Sequence, residues 1–159
     1  MRITILLLLS VVLLASCGSA PVDDFKPDTI IALERHALDL WGQGEPSGYS
    51  ALYAPEITYF DPTQERRIEG IDAMNALYQP IKGKIHVDHY DMLGPKVQHS
   101  GATAVLSYNL ISYMKPPNAP EFNVRWNCTE VYRQINGQWK IVHNHWSFIQ
   151  PILKNPISE

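Results

Sequence analysis

Two long runs of β-branched and aromatic residues meet at Asn136-Gly137: Glu121 to Ile135 before the pair, Gln138 to Phe148 after it. Asn-Gly between such runs specifies a type I′ turn, because both central residues of that turn need φ > 0. A long hairpin must therefore close the fold. Side chains alternate along a strand, so Val124, Trp126, Cys128, Glu130 and Tyr132 share one face, with Arg125, Asn127, Thr129, Val131 and Arg133 on the other. Glu130 is the anomaly of the apolar face, since an unpaired buried charge is costly. It either lines a polar-bottomed pocket or is solvated at a sheet edge. On the second arm Trp139, Ile141, His143, His145 and Ser147 alternate with Val142, Asn144, Trp146 and Phe148, and neither set reads as a solvent face. That pattern predicts a sheet covered on both sides.

The 159 residues, 45% of them hydrophobic and 18% charged, suffice for one core, and the net charge of −3 gives no basic footprint for nucleic acid. The amino terminus stands apart. Met1-Arg2 is a short positive segment, Ile3 to Leu14 an apolar stretch too short to span as a mature helix, and Ala15-Ser16 the small residues of a cleavage site. Cys17 follows at once. Leu14-Ala15-Ser16-Cys17 resembles the lipobox of bacterial lipoproteins, which implies a signal peptide over residues 1–16, cleavage before Cys17 and lipid on that cysteine. The resemblance places the mature chain in the bacterial cell envelope, and Gly18 after the cysteine points to the periplasmic side of the outer membrane. With Cys17 lipidated, Cys128 has no partner and reads as a small buried hydrophobe.

Residues 17–27 read as a tether. A helix then opens at Pro27-Asp28-Thr29, capped by Asp28 or Thr29, and carries Ile30, Leu33, Ala37, Leu40 and Trp41 inward until Gly42 and Gly44. A second short helix covers Ser47 to Tyr53. Ile57 to Asp61 is a strand stopped by Pro62, Arg67 to Glu69 its return, and Gly70-Ile71-Asp72 the start of a third helix ending before Pro80. Everything from Ile85 reads as strand: Ile85 to Leu93, a turn at Gly94-Pro95, Lys96 to His99, then Thr103 to Met114 and the closing hairpin. Helices followed by an antiparallel meander define an α+β class. In Thr103 to Met114 both alternating sets carry apolar groups, so one set faces a pocket and the other predicts a homodimer or larger homo-oligomer.

This order, with Tyr59-Phe60-Asp61-Pro62, Ile68-Glu69-Gly70-Ile71-Asp72 and Trp139-Lys140-Ile141-Val142-His143-Asn144-His145-Trp146-Ser147, resembles the nuclear transport factor 2-like superfamily over residues 28–150. SnoaL-like proteins and ketosteroid isomerases belong to it, and the last two motifs resemble the association domain of calmodulin-dependent kinases. The resemblance implies a cone-shaped barrel in which a strongly curved, mostly antiparallel sheet wraps about three helices around a pocket, leaving residues 151–159 as a tail. Carried over strand by strand, the kinase domain's ligand positions fall on Met74, Asn109, Glu130 and Trp146. That pocket is basic and takes small carboxylates; these positions hold no cation, which implies a neutral, amphipathic or cationic ligand. Tyr59, Trp126 and Asn144 join them as candidate lining residues. Asp61-Pro62 matches the general base of ketosteroid isomerases, but the tyrosine that family places on the first helix has no match, His36 being a shifted stand-in.

Three functions follow as expectations: a lipid-anchored small-molecule-binding domain, a proton-transfer enzyme using Asp61 and Glu130, or an oligomerisation module. No cofactor is implied by any of them. His143 and His145 share a strand face, with His86 and His89 read on a neighbouring strand, but no third metal ligand follows from the spacing, so no metal is expected.

Overall fold

The computed structural model describes residues 24–116 and 119–149. Cys17, the signal segment before it and the tail over residues 151–159 lie outside the described residues. Three helices, α1 (Pro27–Gly42), α2 (Ser47–Leu52) and α3 (Ile71–Tyr78), precede most of the sheet, and a single 3₁₀ turn (Gln79–Ile81) follows α3. The strands are β1 (Tyr53–Phe60), β2 (Ile68–Glu69), β3 (His89–Ser100), β4 (Thr103–Met114), β5 (Phe122–Ile135) and β6 (Gln138–Phe148). They form one sheet in the order β2-β1-β6-β5-β4-β3, antiparallel except where β1 runs parallel to β6. The sheet is thus mixed and unclosed, with β2 and β3 at its edges.

The closing hairpin forms where Asn-Gly demands it, with Asn136 at φ 51 and Gly137 at φ 77. Its first arm keeps strict alternation: Cys128, Glu130 and Tyr132 are buried while Arg125, Asn127, Thr129 and Arg133 are exposed. The second arm does not. Tyr132 pairs with Ile141 but Val131 pairs with His143, so Val142 is an extra residue in β6. Such a bulge reverses the alternation beyond it. Ile141 and Asn144 consequently both point inward, which explains why neither set of β6 residues reads as a solvent face.

Other boundaries shift for local reasons. The first helix begins at Pro27 with Lys26 as its cap, rather than at Asp28 or Thr29; proline's fixed φ suits the first helical position, and Asp28 favours the positive end of the helix dipole. Gly94-Pro95 is not a turn between two strands but a bulge inside β3, where Leu93 pairs with Asn109 and Lys96 with Ser107. Gly94 takes φ +55, and the proline is tolerated because β3 is an edge. Residues 85–88 stay outside the strands.

The core lies between the helices and the inner sheet face. Ile30, Ala37 and Leu38 of α1 and Met74 of α3 pack with Ala104, Leu106, Tyr108 and Leu110 of β4 and with Tyr132 and Ile141 of the hairpin. Phe25, just ahead of α1, stacks on His99 at 3.7 Å and meets the edge of Trp139.

Candidate functional site

A cavity of about 380 Å³ opens between the helices and one end of the sheet. Each wall comes from a different element. Leu38 and Trp41 come from α1, Tyr49 from α2, Leu77 and Tyr78 from α3, Leu110 and Ser112 from β4, Val124 and Trp126 from β5, and Trp146 from β6. Tyr59 comes from β1, and the chain leaving that strand supplies Asp61, Pro62 and Thr63. Aromatic rings dominate, and they brace one another edge to face: Trp41 with Tyr78 at 5.2 Å, Trp126 with Trp146 at 5.8 Å, Tyr49 with Trp146 at 6.4 Å. Among the described residues Asp61 is the only carboxylate on this surface, and no Lys, Arg or His lines it. A largely apolar concavity with a few fixed polar groups is the composition of a small-molecule site.

Asp61 is held by the turn that ends β1. Its Oδ1 accepts hydrogen bonds from the Thr63 backbone N–H at 2.6 Å and the Thr63 hydroxyl at 2.5 Å. An aspartate before proline that bonds the backbone two residues on is an Asx turn, so the same residue shapes the loop and presents its charge to the cavity. Beside it runs a line of phenols. The Tyr53 and Tyr78 hydroxyls are 2.7 Å apart, and burial, Tyr78 and Asp61 together hold the Tyr59 phenol well above its usual range. These phenols are therefore neutral at ordinary pH and act as hydrogen-bond donors or acceptors, not as charges.

A second polar cluster sits within the core, its carboxyl groups off the cavity surface and joined to it through Tyr49. Glu34 of α1 and Glu130 of β5 are each fully buried. Glu34 Oε1 accepts from the hydroxyls of Tyr49 at 2.7 Å and Tyr108 at 2.6 Å, and its Oε2 from Tyr132 at 2.8 Å. The Tyr132 oxygen is also 3.0 Å from Glu130 Oε2, while Asn144 Nδ2 donates to Glu130 Oε1 at 3.0 Å. Burial, and then the adjacent Glu34, push the Glu130 carboxyl well above the usual carboxylate range. Burial and the two glutamates likewise raise the phenols of Tyr108 and Tyr132. Cys128, between them on the inner face, is buried and its thiol is raised by burial and by Glu130, the setting of an inert cysteine. Among the described residues two buried side-chain polar atoms have no protein partner, Trp126 Nε1 and Asn144 Oδ1.

The residues singled out in the sequence divide into three groups. Tyr59, Asp61, Trp126 and Trp146 come together on the cavity. Glu130 and Asn144 come together in the buried cluster, where the partner of Glu130 is Glu34 and not Asp61. Met74 and Asn109 join neither: Met74 is fully buried in the core, and Asn109 is on the opposite sheet face, donating to Asn127 Oδ1 at 2.8 Å. His36 is exposed on α1. His143 and His145 point outward around Phe60, and Thr58 Oγ1 lies 2.8 Å from His143 Nδ1. Burial lowers the His143 pKa. His89 opens β3, which does not neighbour β6, and His86 precedes that strand, so the four histidines are not on adjacent strands. Among the described residues no group of three metal-ligating side chains converges.

Glu34 is the residue that the sequence reading passed over. It follows Ile30 by four positions and precedes Leu38 by four, so it lies on the buried stripe of α1. A charge on that stripe was the available signal; Leu33, read as inward, is only half-buried.

Three helices on a curled six-stranded mixed sheet with an end cavity define a nuclear transport factor 2-like α+β domain. Within that class the chain belongs to the calcium/calmodulin dependent protein kinase II association domain family, whose model matches residues 26–150. A ketosteroid isomerase candidate from Parabacteroides distasonis is 36% identical, with 84% of this chain and 95% of that one aligned at a TM-score of 0.71. The association domain of the C. elegans kinase has 24% identity over 76% of this chain and 93% of its own, with a TM-score of 0.65. A nuclear transport factor 2-like protein of unknown function from Pseudomonas putida has 23% identity over 76% of this chain and 84% of its own, also at 0.65. Among functionally curated proteins none matches this chain in sequence.

Proposed function

We propose that this protein is a lipid-anchored, SnoaL-like domain of the bacterial envelope that binds a small amphipathic molecule in its cavity and works as a homodimer or larger homo-oligomer. The observation that carries the reading is the cavity itself, about 380 Å³ with aromatic walls and a single carboxylate. A protein that used this scaffold only for assembly would gain by filling such a space, because a packed interior is more stable than a void. The anchor rests on Leu14-Ala15-Ser16-Cys17. Support for self-association comes from membership of a family named for its association domains and from the outer sheet face, where Val105, Ile111, Val131 and Val142 are half-buried. Native mass spectrometry of the purified mature protein tests both parts. The expected spectrum has a multiple of the protomer mass plus a retained small molecule; a bare monomer overturns the proposal.

A second reading, proton transfer within the same cavity, is favoured by one specific feature. Asp61 faces the cavity with the Tyr59 and Tyr78 phenols beside it, a base next to neutral hydrogen-bond donors. The similarity to a ketosteroid isomerase candidate points the same way. Glu130 does not take part in this version, since it is not among the residues lining the cavity.

A further inference from the structure

Among the described residues the charge of Asp61 has no counterpart. Its bonding partners are the backbone and hydroxyl of Thr63 and the Tyr59 phenol, all neutral, and it makes no ion pair with a described residue. No cationic side chain among the described residues lines the cavity that it faces. A carboxylate beside low-dielectric walls attracts a positive charge far more strongly than one in water, since bulk solvent screens it less.

The walls answer the same charge in another way. Trp41, Trp126, Trp146, Tyr49 and Tyr78 surround the space, and their ring-to-ring contacts at 5.2 to 6.4 Å hold them edge to face around it. Electron-rich faces of indole and phenol attract cations, and cages of such rings recognise quaternary ammonium groups. Burial keeps the Tyr49 and Tyr78 phenols protonated, so they add no competing charge.

We infer that the ligand of this cavity is an organic cation, an amphipathic amine or quaternary ammonium whose charged head sits between Asp61 and the aromatic rings while its apolar body fills the rest. This rests on the reading of the cavity as a small-molecule site and narrows it to one charge class. An anionic ligand is disfavoured by Asp61, and a neutral one would leave that carboxylate uncompensated in a partly dehydrated mouth.

Three probes of one shape separate the possibilities: 4-phenylbutyltrimethylammonium, the neutral hydrocarbon in which carbon replaces its nitrogen, and 4-phenylbutanesulfonate. Each is titrated into the purified protein and followed by quenching of intrinsic tryptophan fluorescence. The ammonium probe should bind about tenfold or more tighter than its neutral isostere, and the sulfonate weakest. Asp61→Asn retains the turn-forming Oδ1 acceptor, and it should erase most of the ammonium preference while leaving affinity for the hydrocarbon unchanged. Equal or tighter binding of the hydrocarbon overturns the charge assignment and leaves the cavity reading standing. Failure of all three to bind overturns both. Thermal unfolding of Asp61→Asn shows whether its fold is intact, and the wild-type comparison of ammonium with hydrocarbon decides the question without the variant.

Discussion

The Tyr132 hydroxyl lies between two buried carboxyl groups, 2.8 Å from Glu34 Oε2 and 3.0 Å from Glu130 Oε2. It has one proton to give. Glu34 already receives the hydroxyls of Tyr49 and Tyr108, so the arrangement is satisfied when Tyr132 donates to Glu34 and a protonated Glu130 donates to Tyr132. Asn144 Nδ2 supplies the remaining Glu130 oxygen. The pair thus divides its site between Glu34, addressed by three hydroxyls, and Glu130, whose proton burial holds on.

That proton count predicts unequal effects of the same substitution. Glu130→Gln replaces a neutral acid by a neutral amide whose N–H₂ can still donate to Tyr132 and whose oxygen can still accept from Asn144, so its intrinsic cost should stay under about 1 kcal/mol. At neutral pH, where the unfolded wild type has released the Glu130 proton, the variant should be no less stable than wild type. Glu34→Gln replaces one of the two oxygens that three hydroxyls address and turns a donor toward at least one of them. It should cost about 2 to 3 kcal/mol. Guanidinium unfolding of both variants at neutral pH checks the order, and a Glu130→Gln cost equal to or above that of Glu34→Gln contradicts it.

The same pair sets a pH dependence. Glu130 in the folded protein is raised above the ordinary 4.5 of a glutamate, so between those two values the native state holds a proton that the unfolded chain has released. Stability from this group is complete below the unfolded value and is lost as pH rises toward the folded one, with a limiting slope of about 1.4 kcal/mol per pH unit. Glu130→Gln cannot release that proton. Measured upward from pH 5, its stability relative to wild type should therefore climb with pH until the folded value is passed and then level off. A difference that is flat, or that falls with pH, would show that Glu130 is ionised in the native protein.

How far these groups were legible depends on whether alternation survives. In β5 it does, and Glu130 stands out from the sequence on an inward face with Trp126, Cys128 and Tyr132. In β6 the extra residue Val142 hides the inward set, because no local signal marks a bulge that lacks a glycine. In β4 both sets are apolar enough to face inward, so alternation alone could not say that Leu110 and not Asn109 looks into the cavity. Asp61 was readable from its proline. Its neighbour Tyr78, and the pairing of Glu34 with Glu130, depend on contacts between distant elements that no spacing encodes.

The proposed lipid anchor makes a chemical prediction at one residue. If Leu14-Ala15-Ser16-Cys17 is processed as a lipobox, radiolabelled palmitate fed to expressing bacteria should enter the wild-type protein and be absent from Cys17→Ser. Cys128 is buried with a raised thiol pKa and offers no second acylation site. Equal labelling of the two proteins would end the assignment.

The cavity can be closed without touching Asp61 or the aromatic rings. Ser112 of β4 lies on its wall, largely buried and paired across the sheet with Tyr90. Leucine at this position trades a hydroxyl for a larger branched apolar group that projects into open space, not into packed neighbours, so Ser112→Leu should leave stability within about 1 kcal/mol of wild type. It should nevertheless weaken binding of the neutral aromatic probe N-phenyl-1-naphthylamine by about tenfold, since the volume the probe needs is occupied. Ser112→Ala leaves the space open and should bind the probe as wild type does, which separates loss of volume from loss of the hydroxyl. Probe fluorescence and thermal unfolding measured on the three proteins provide the check. Unchanged probe affinity in Ser112→Leu would mean that small molecules enter elsewhere, and weakened affinity in Ser112→Ala would mean that the hydroxyl and not the volume holds the probe.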